Sequence, residues 1–220
     1  MNYRGVIFDL DGTLLNTLED LADSMNLVLR QNGFPQHAIH LYKTFIGDGV
    51  INLVRRTLPV ESINQAAISQ YVAEVRQEYD KRWANKTRPY PQIPELLQEL
   101  QNQKIRMAVF TNKPDAPAKL MIQHFFPGCP FEIVCGAKPE VPLKPDPTGA
   151  LAIAKEMNIS PEEFLYLGDT GTDMKTAQAA GMYPIGALWG FRTAEELLKN
   201  GAKLLLERPE QLLDWLAHPR

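Results

Sequence analysis

The stretch that most limits the possible folds of this chain is residues 6–13, Val-Ile-Phe-Asp-Leu-Asp-Gly-Thr. Its first three residues are β-formers without polar alternation, a pattern typical of a parallel strand buried on both faces. Asp9 and Asp11 follow directly, and Gly12 breaks the strand. Because residues two apart in an extended chain point to the same side, we expect both carboxylates to face one point at the strand's carboxyl end, where open α/β sheets bind ligands. Taken alone, the stretch also fits a strand followed by an ordinary Asx-Gly turn.

Composition and charge narrow the class of protein. The chain has 220 residues, 45% of them apolar and 22% charged, with a formal net charge of −3. These values are typical of a globular protein with a buried core, and they give no electrostatic basis for binding nucleic acid or an anionic membrane. Cys129 and Cys135 lack the spacing of a zinc site or a disulfide framework. No signal peptide or membrane span is evident, so we expect a cytoplasmic protein.

Residues 15–87 are helical in pattern and contain no convincing strand. Thr17-Leu-Glu-Asp20 resembles a capping box, and apolar residues then recur at helical spacing until Gly33. A turn with two glycines, Gly47 and Gly49, precedes another short helix, and a long polar helix is predicted over 62–83. This segment is therefore predicted to be a helical insertion.

Beyond residue 88 the pattern alternates between strands and helices, which indicates a mostly parallel sheet with helices on both faces. The predicted strands are 105–110, 131–135, 164–167, 183–188 and 203–206, and the predicted helices are 93–100, 114–126, 144–157, 172–180, 194–199 and 209–216. The fold class is accordingly α/β, a Rossmann-like doubly wound core formed by residues 1–14 and 88–220, with the helical segment inserted over 15–87.

Four polar groups follow predicted strands or open predicted helices, so they can meet at one edge of the sheet. Each has an ordinary structural explanation when taken alone: a turn, a surface lysine or a helix cap. The groups are Asp9 with Asp11, Thr111 with Asn112, Lys144, and Asp169 with Asp173.

Together these groups supply the parts of a phosphoryl-transfer site. Carboxylates from two strand ends, with no clustered Cys or His, form a hard oxygen site suited to Mg²⁺. Lys144, Thr111 and the backbone N–H groups after Thr111 can bind phosphate oxygens. A carboxylate beside Mg²⁺ can attack phosphorus and form an aspartyl phosphate.

The four groups match, in order, the motifs of haloacid dehalogenase-like (HAD) hydrolases, which this sequence resembles along essentially its whole length. The resemblance implies that the helical insertion over 15–87 is the family's C1-type α-helical cap domain. It implies that Asp9 is the nucleophile and Asp11 the general acid/base. It implies that Asp9, Asp169 and the backbone carbonyl of Asp11 ligate Mg²⁺. The remaining implied roles are phosphoryl binding by Thr111, Asn112 and Lys144, and support of Lys144 or of metal-bound water by Asp173.

Within that family the sequence is similar to the phosphoglycolate phosphatase subgroup. Gly47-Asp-Gly49-Val-Ile-Asn-Leu matches the subgroup's cap-loop pattern G-x-G-x-x-x-L. The segments Thr111-Asn-Lys and Lys144-Pro-Asp-Pro also resemble the corresponding segments of that subgroup. The resemblance implies that Gly47 and Gly49 bind the substrate, a small phosphorylated metabolite, with 2-phosphoglycolate as the first candidate. Asn16 stands where relatives often have Asp, a difference that bears on the cap hinge.

Other interpretations of the same residues stay open. A phosphomutase or a pyrophosphatase could use this scaffold, and so could a non-catalytic phospho-accepting switch. The presence of Asp11 favours phosphoryl chemistry over dehalogenation, and a cap argues against a switch, which needs an exposed partner surface. The sequence leaves the oligomeric state open.

Overall fold

The computed structural model describes residues 3–217 and confirms the predicted alternation of strands and helices in the second part of the chain. The strands are β1 (Gly5–Phe8), β2 (Leu15–Asn16), β3 (Arg88–Pro89), β4 (Arg106–Pro114), β5 (Phe131–Ala137), β6 (Phe164–Gly168), β7 (Tyr183–Ala187) and β8 (Leu204–Leu206). The helices are α1 (Leu18–Gln31), α2 (Tyr42–Phe45), α3 (Val50–Thr57), α4 (Gln65–Asp80), α5 (Ile93–Asn102), α6 (Asp115–Phe125), α7 (Thr148–Glu156), α8 (Gly171–Ala179), α9 (Ala194–Lys199) and α10 (Gln211–Ala217).

Six strands form one parallel sheet in the order β5-β4-β1-β6-β7-β8. β1 lies at its centre, where Phe8 is opposite Val109 of β4 and Leu167 of β6. The chain continues from β1 to one side through β4 and β5, and to the other side through β6, β7 and β8. β1 is therefore the strand at which the order of the sheet reverses, and the predicted Rossmann-like α/β fold is confirmed.

Complete burial of β1 explains why its sequence has no polar alternation. All four of its residues are buried, with Ile7 and Phe8 at 0% exposure. Ile7 belongs to the cluster that α7 and α8 form against one face of the sheet. Phe8 points to the other face, where its ring meets that of Phe131 edge-on at a centroid distance of 6.3 Å. Packing on both faces thus fixes the strand that leads into Asp9.

The described chain divides into two compact units, residues 3–15 with 89–217, and Asn16–Arg88. The second unit is helical, and α1 packs against α4. The buried apolar residues of these two helices include Met25, Val28, Leu29, Ile68, Val72 and Val75. The expectation that this region holds no strand is wrong at one point, because β2 and β3 pair in a two-stranded sheet. Strands of two residues are too short to give a periodic pattern.

The predicted capping box at Thr17 is also wrong. Thr17 precedes α1, but its side chain makes no capping hydrogen bond, and its buried hydroxyl has no hydrogen-bond partner within residues 3–217. Asp20 instead accepts hydrogen bonds from the backbone N–H groups of Lys86 and Thr87 and from the Thr87 hydroxyl, 66–67 residues further along. The carboxylate therefore connects the two ends of the helical unit instead of capping its own helix.

Several predicted boundaries shift. α4 begins at Gln65 because Asn64 caps it, accepting from the Ala67 N–H at 2.9 Å. β4 continues through the polar residues to Pro114, and α7 begins at Thr148, so Lys144 lies in the preceding loop and not at a helix start. Among the helices of residues 3–217, none combines the length and apolar character needed to cross a membrane.

Candidate active site

The predicted polar residues of the sheet unit meet at the carboxyl ends of three adjacent strands. Asp9 directly follows β1, the Thr111-Asn112-Lys113 segment ends β4, and Asp169 directly follows β6. The loop before α7 adds Lys144, and the first turn of α8 adds Asp173. The site thus lies where the strand order reverses at β1, the position at which open α/β sheets bind ligands.

Lys144 lies at the centre of the site, with a side chain only 1% exposed. Its Nζ is 2.9 Å from Asp9 Oδ1, 2.6 Å from Asp173 Oδ1 and 3.1 Å from the carbonyl oxygen of Phe110. Burial by itself lowers the pKa of Lys144, but the carboxylates of Asp173 and Asp9 outweigh it and raise the pKa above its usual value. The site therefore keeps a buried ammonium ion beside Asp9.

The two oxygens of Asp9 differ in their surroundings. Oδ1 accepts from the Leu10 N–H at 2.7 Å and from Lys144 Nζ. Among the described residues, none donates a hydrogen bond to Oδ2. Burial, and then the nearby Asp173 carboxylate, raises the pKa of Asp9 to about 7 against the lowering effect of Lys144. One carboxylate oxygen is thus held in place, and the other is left without a protein donor.

Asp169 is held by two hydrogen bonds on different oxygens. Thr13 Oγ1 donates to Oδ1 at 3.0 Å, and the Phe191 N–H donates to Oδ2 at 2.8 Å. The carboxylate lies so close to Gly12, which has φ +90°, that a Cβ there would come within 2.3 Å of Asp169 Oδ2. Burial, with Asp9 and Asp173, raises the pKa of Asp169 above its usual range. Glycine at position 12 is therefore required both by its backbone conformation and by this close approach.

Asp173 uses its two oxygens for two different tasks. Oδ2 accepts from the N–H and the hydroxyl of Thr170, which caps α8 in a reciprocal capping box. Oδ1 binds Lys144. The sequence interpretation that one aspartate of this motif has a capping role is confirmed, and the same residue also orients the lysine.

Asp11 binds a lysine that the sequence analysis did not single out. β1 ends at Phe8, so Asp11 lies beyond the strand and is not a member of the carboxylate cluster around Asp9. Lys113 Nζ is 3.0 Å from Asp11 Oδ1 and 3.3 Å from Oδ2. The two aspartates of the first motif therefore bind two different lysines.

The other residues at the end of β4 also have defined contacts. Thr111, 2% exposed, accepts from the Lys113 N–H at 3.2 Å through its hydroxyl oxygen. Asn112 binds the backbone of Lys144, accepting from its N–H at 2.8 Å and donating to its carbonyl oxygen at 3.2 Å. This segment thus connects the loop of Lys144 with the partner of Asp11.

The carboxylate cluster has the chemistry of a divalent-cation site. Asp9, Asp169 and Asp173 each place a carboxylate oxygen within 4.8 Å of the others, and all three are buried. With Asp11 and the two lysines, formal negative charges outnumber formal positive charges by two at this site. Burial first, and then the neighbouring carboxylates, raise the pKa values of Asp9 and Asp169, and a bound cation opposes both effects.

Gly47 and Gly49 lie in the helical unit, in the loop between α2 and α3, with φ values of 125° and 83°. Gly49 immediately precedes α3. Their assignment to the substrate remains a prediction.

Sequence reasoning missed the residues that hold the site together from a distance. The loop after β7 supplies the Phe191 N–H to Asp169, and the Trp189 indole donates to the Thr13 carbonyl oxygen at 3.0 Å. Gly190 packs so closely that a Cβ would lie 2.3 Å from Asp169 Cβ. A backbone N–H donor has no residue signature, but the glycine beside two aromatic residues after a strand could have marked a close approach.

Comparison with known proteins agrees with this geometry. The family model described as haloacid dehalogenase-like hydrolase matches residues 6–187. A phosphoglycolate phosphatase from Pseudomonas putida is 28% identical over 98% of this chain and 80% of its own length. One from Mannheimia succiniciproducens is 30% identical over 86% of this chain and 87% of its own.

A solved structure gives the same result at the level of the fold. The crystal structure of a predicted phosphoglycolate phosphatase from Haemophilus somnus has a TM-score of 0.88 and 25% identity, covering 97% of this chain and 98% of that one. Together with the sequence relatives, it confirms the prediction of a phosphatase similar to the phosphoglycolate phosphatases. The chain belongs to the haloacid dehalogenase-like hydrolase family.

Proposed function

We propose that this phosphatase is Mg²⁺-dependent, that it hydrolyses a small phosphomonoester through an aspartyl phosphate on Asp9, and that 2-phosphoglycolate is its substrate. The observation that carries the proposal is the asymmetry of Asp9. Its Oδ1 is fixed by the Leu10 N–H and Lys144, while Oδ2 has no donor among the described residues. An oxygen held in place without a donor of its own is suited to attack phosphorus.

The proposed reaction has two steps. A carboxylate oxygen of Asp9 attacks the phosphorus, the ester P–O bond breaks, and its electron pair leaves on the alcohol oxygen, which takes a proton from the Asp11 carboxyl. Asp11 then takes a proton from water, whose oxygen attacks the phosphorus, releasing phosphate and restoring the Asp9 carboxylate. Lys144, 2.9 Å from Asp9 Oδ1, places a positive charge beside the carboxylate whose other oxygen attacks the phosphorus.

In this proposal Asp9 and Asp169, with the backbone carbonyl of Asp11, hold Mg²⁺, and Asp173 supports Lys144. The oxygen-only donor set and the excess of negative charge support a hard divalent cation. When bound, the cation neutralises the carboxylates and the phosphate. Thr111, Asn112 and the backbone N–H groups at the end of β4 remain the candidates for binding the phosphoryl oxygens, with Asn112 acting through Lys144.

The substrate is proposed from the relatives, which are phosphoglycolate phosphatases, and from the Gly47–Gly49 loop. Two glycines allow backbone N–H groups to approach a carboxylate closely. We therefore assign Gly47 and Gly49 to the glycolate carboxylate, with the helical unit Asn16–Arg88 as the part of the enzyme that selects the substrate.

The test is a comparison of phosphate release from 2-phosphoglycolate, ethyl phosphate and p-nitrophenyl phosphate, each with Mg²⁺ and with EDTA. Ethyl phosphate matches the size of phosphoglycolate but lacks the carboxylate. We expect Mg²⁺-dependent turnover of all three and the highest kcat/KM for 2-phosphoglycolate. Turnover in EDTA equal to that in Mg²⁺ contradicts the metal assignment, and no preference over ethyl phosphate contradicts the substrate assignment.

A further inference from the structure

The paired side chains of Lys113 and Asp11 are the feature of the site that the roles above leave unexplained. Lys113 Nζ lies 3.0 Å and 3.3 Å from the two carboxylate oxygens of Asp11. The Lys113 side chain is 5% exposed and that of Asp11 14%. Removing two charges from water is costly and also immobilises a long side chain, so the pair calls for an explanation beyond an ordinary surface ion pair.

Asp11 differs from the other three carboxylates in what holds it. Asp9, Asp169 and Asp173 each accept a backbone N–H, from Leu10, Phe191 and Thr170 respectively. Among residues 3–217, Lys113 is the one group that donates a hydrogen bond to the Asp11 carboxylate. The orientation of this carboxyl group therefore depends on a single side chain.

A lysine is chemically suited to fix the direction of a carboxyl group. Its ammonium group has three donors and no acceptor, and here Nζ holds both Asp11 oxygens, at 3.0 Å and 3.3 Å. In the proposed reaction this carboxyl group gives its proton to the leaving alcohol, so its direction matters for that step.

We propose that Lys113 is the positioning residue of Asp11, and that it holds the Asp11 carboxyl group in the direction of the leaving group. The inference rests on the proposed function, because it assumes that Asp11 protonates the departing alcohol. Lys113 lies in β4 two residues after Thr111, so the last part of this strand places both the hydroxyl proposed to bind phosphate and the residue that supports the acid.

The experiment uses the dependence of the rate on the leaving group. Phenyl phosphate and p-nitrophenyl phosphate have similar shapes, but the phenolate is the poorer leaving group and depends more on a proton from Asp11. The measured quantity is kcat/KM, which reports the steps up to departure of the alcohol. We expect Lys113→Met to lower kcat/KM for phenyl phosphate by about tenfold more than for p-nitrophenyl phosphate. Lys113→Arg, which keeps the charge, should recover part of that difference.

Two controls separate positioning from other roles. Lys155→Met removes an exposed lysine of α7 and should leave both rates unchanged. In the Asp11→Asn background, Lys113→Met should lower kcat/KM only a little further, because a residue that acts through Asp11 then has no carboxyl group to orient. If Lys113→Met does not fold, Lys113→Gln is measured on the same two substrates.

The inference is wrong if Lys113→Met lowers kcat/KM equally for the two substrates or leaves both values unchanged. It is also wrong if Lys113→Met lowers kcat/KM as much in the Asp11→Asn background as in the wild-type protein. In each of these cases the wild-type enzyme is active on both substrates. If the proposed function itself is wrong, the wild-type protein releases no phosphate from either substrate with Mg²⁺, so the two failures can be distinguished.

Discussion

The side-chain amide of Asn112 binds the backbone of Lys144 on both sides, accepting from the Lys144 N–H at 2.8 Å and donating to its carbonyl oxygen at 3.2 Å. Both residues are buried, and Lys144 lies in an irregular loop before α7. The amide thus substitutes for the partners that a strand would have given this loop, and it fixes the lysine that binds Asp9 and Asp173.

Asn112→Ala should lower both stability and catalysis. Two buried backbone groups lose their partner, so we expect the free energy of unfolding to fall by about 1–3 kcal/mol. Displacement of Lys144 should lower kcat more than it raises KM. Denaturant unfolding and steady-state kinetics measure the two effects. A residue that served only to bind the phosphate would instead raise KM at unchanged stability.

Asp20 should be a main determinant of the stability of the helical unit. Its buried carboxylate accepts from two backbone N–H groups and the Thr87 hydroxyl, so Asp20→Ala should cost about 2–4 kcal/mol. Asp23→Ala is the matched control. Asp23 lies on the same helix as Asp20 and forms an exposed ion pair with Lys86, so its loss should lower the free energy of unfolding by under about 1 kcal/mol. Equal losses in thermal or urea unfolding would show that Asp20 adds nothing beyond a surface charge.

The Gly47–Gly49 loop should affect KM for one substrate in particular. Gly49 and Gly33 have φ values of 83° and 74°, so an alanine at either should strain the backbone by about 1–2 kcal/mol. Gly33 has open space around it and lies outside the loop. We expect Gly49→Ala to raise KM for 2-phosphoglycolate and to change p-nitrophenyl phosphate hydrolysis much less. Gly33→Ala should leave the kinetics of both substrates unchanged. If the two variants behave alike, the loop is simply a turn between helices.

Metal binding should become tighter as the pH rises. Asp9 has a folded-state pKa of about 7 against an ordinary 3.8, so the metal-free protein loses stability from this group as the pH rises through that window. A cation reverses the loss by binding the ionised form. The rise in Tm produced by Mg²⁺ should therefore be larger near pH 8 than near pH 5.5. The same pH dependence in Asp9→Asn would mean that other groups bind the ion.

The choice of cation gives a further check on that site. Mg²⁺ should support turnover and Ca²⁺ should not, because the larger ion prefers more ligands in a looser geometry than in-line attack tolerates. Comparable phosphate release with either ion would contradict the site as proposed.

The structural features that depend on local sequence pattern were predicted from the sequence, whereas those that depend on contacts between distant residues were missed. The apolar run before Asp9 indicated a parallel strand buried on both faces, and β1 is buried along its whole length. The capping box at Thr17 failed because Asp20 binds backbone N–H groups 66–67 residues away, and no local pattern marks those donors. Lys113 was missed for the same reason, since its partner Asp11 is 102 residues distant.

The central claim is that Asp9 is the nucleophile, and the most direct test is the kcat of Asp9→Asn with Mg²⁺. The substitution is nearly isosteric and removes a buried charge next to Asp173 and Asp169, so the fold should be retained, as circular dichroism and thermal unfolding can verify. Asp146→Asn, an exposed aspartate before α7, is the control and should keep wild-type turnover. We predict that hydrolysis of 2-phosphoglycolate and of p-nitrophenyl phosphate is abolished in Asp9→Asn. A folded Asp9→Asn protein that keeps more than a small fraction of wild-type kcat would contradict the covalent mechanism.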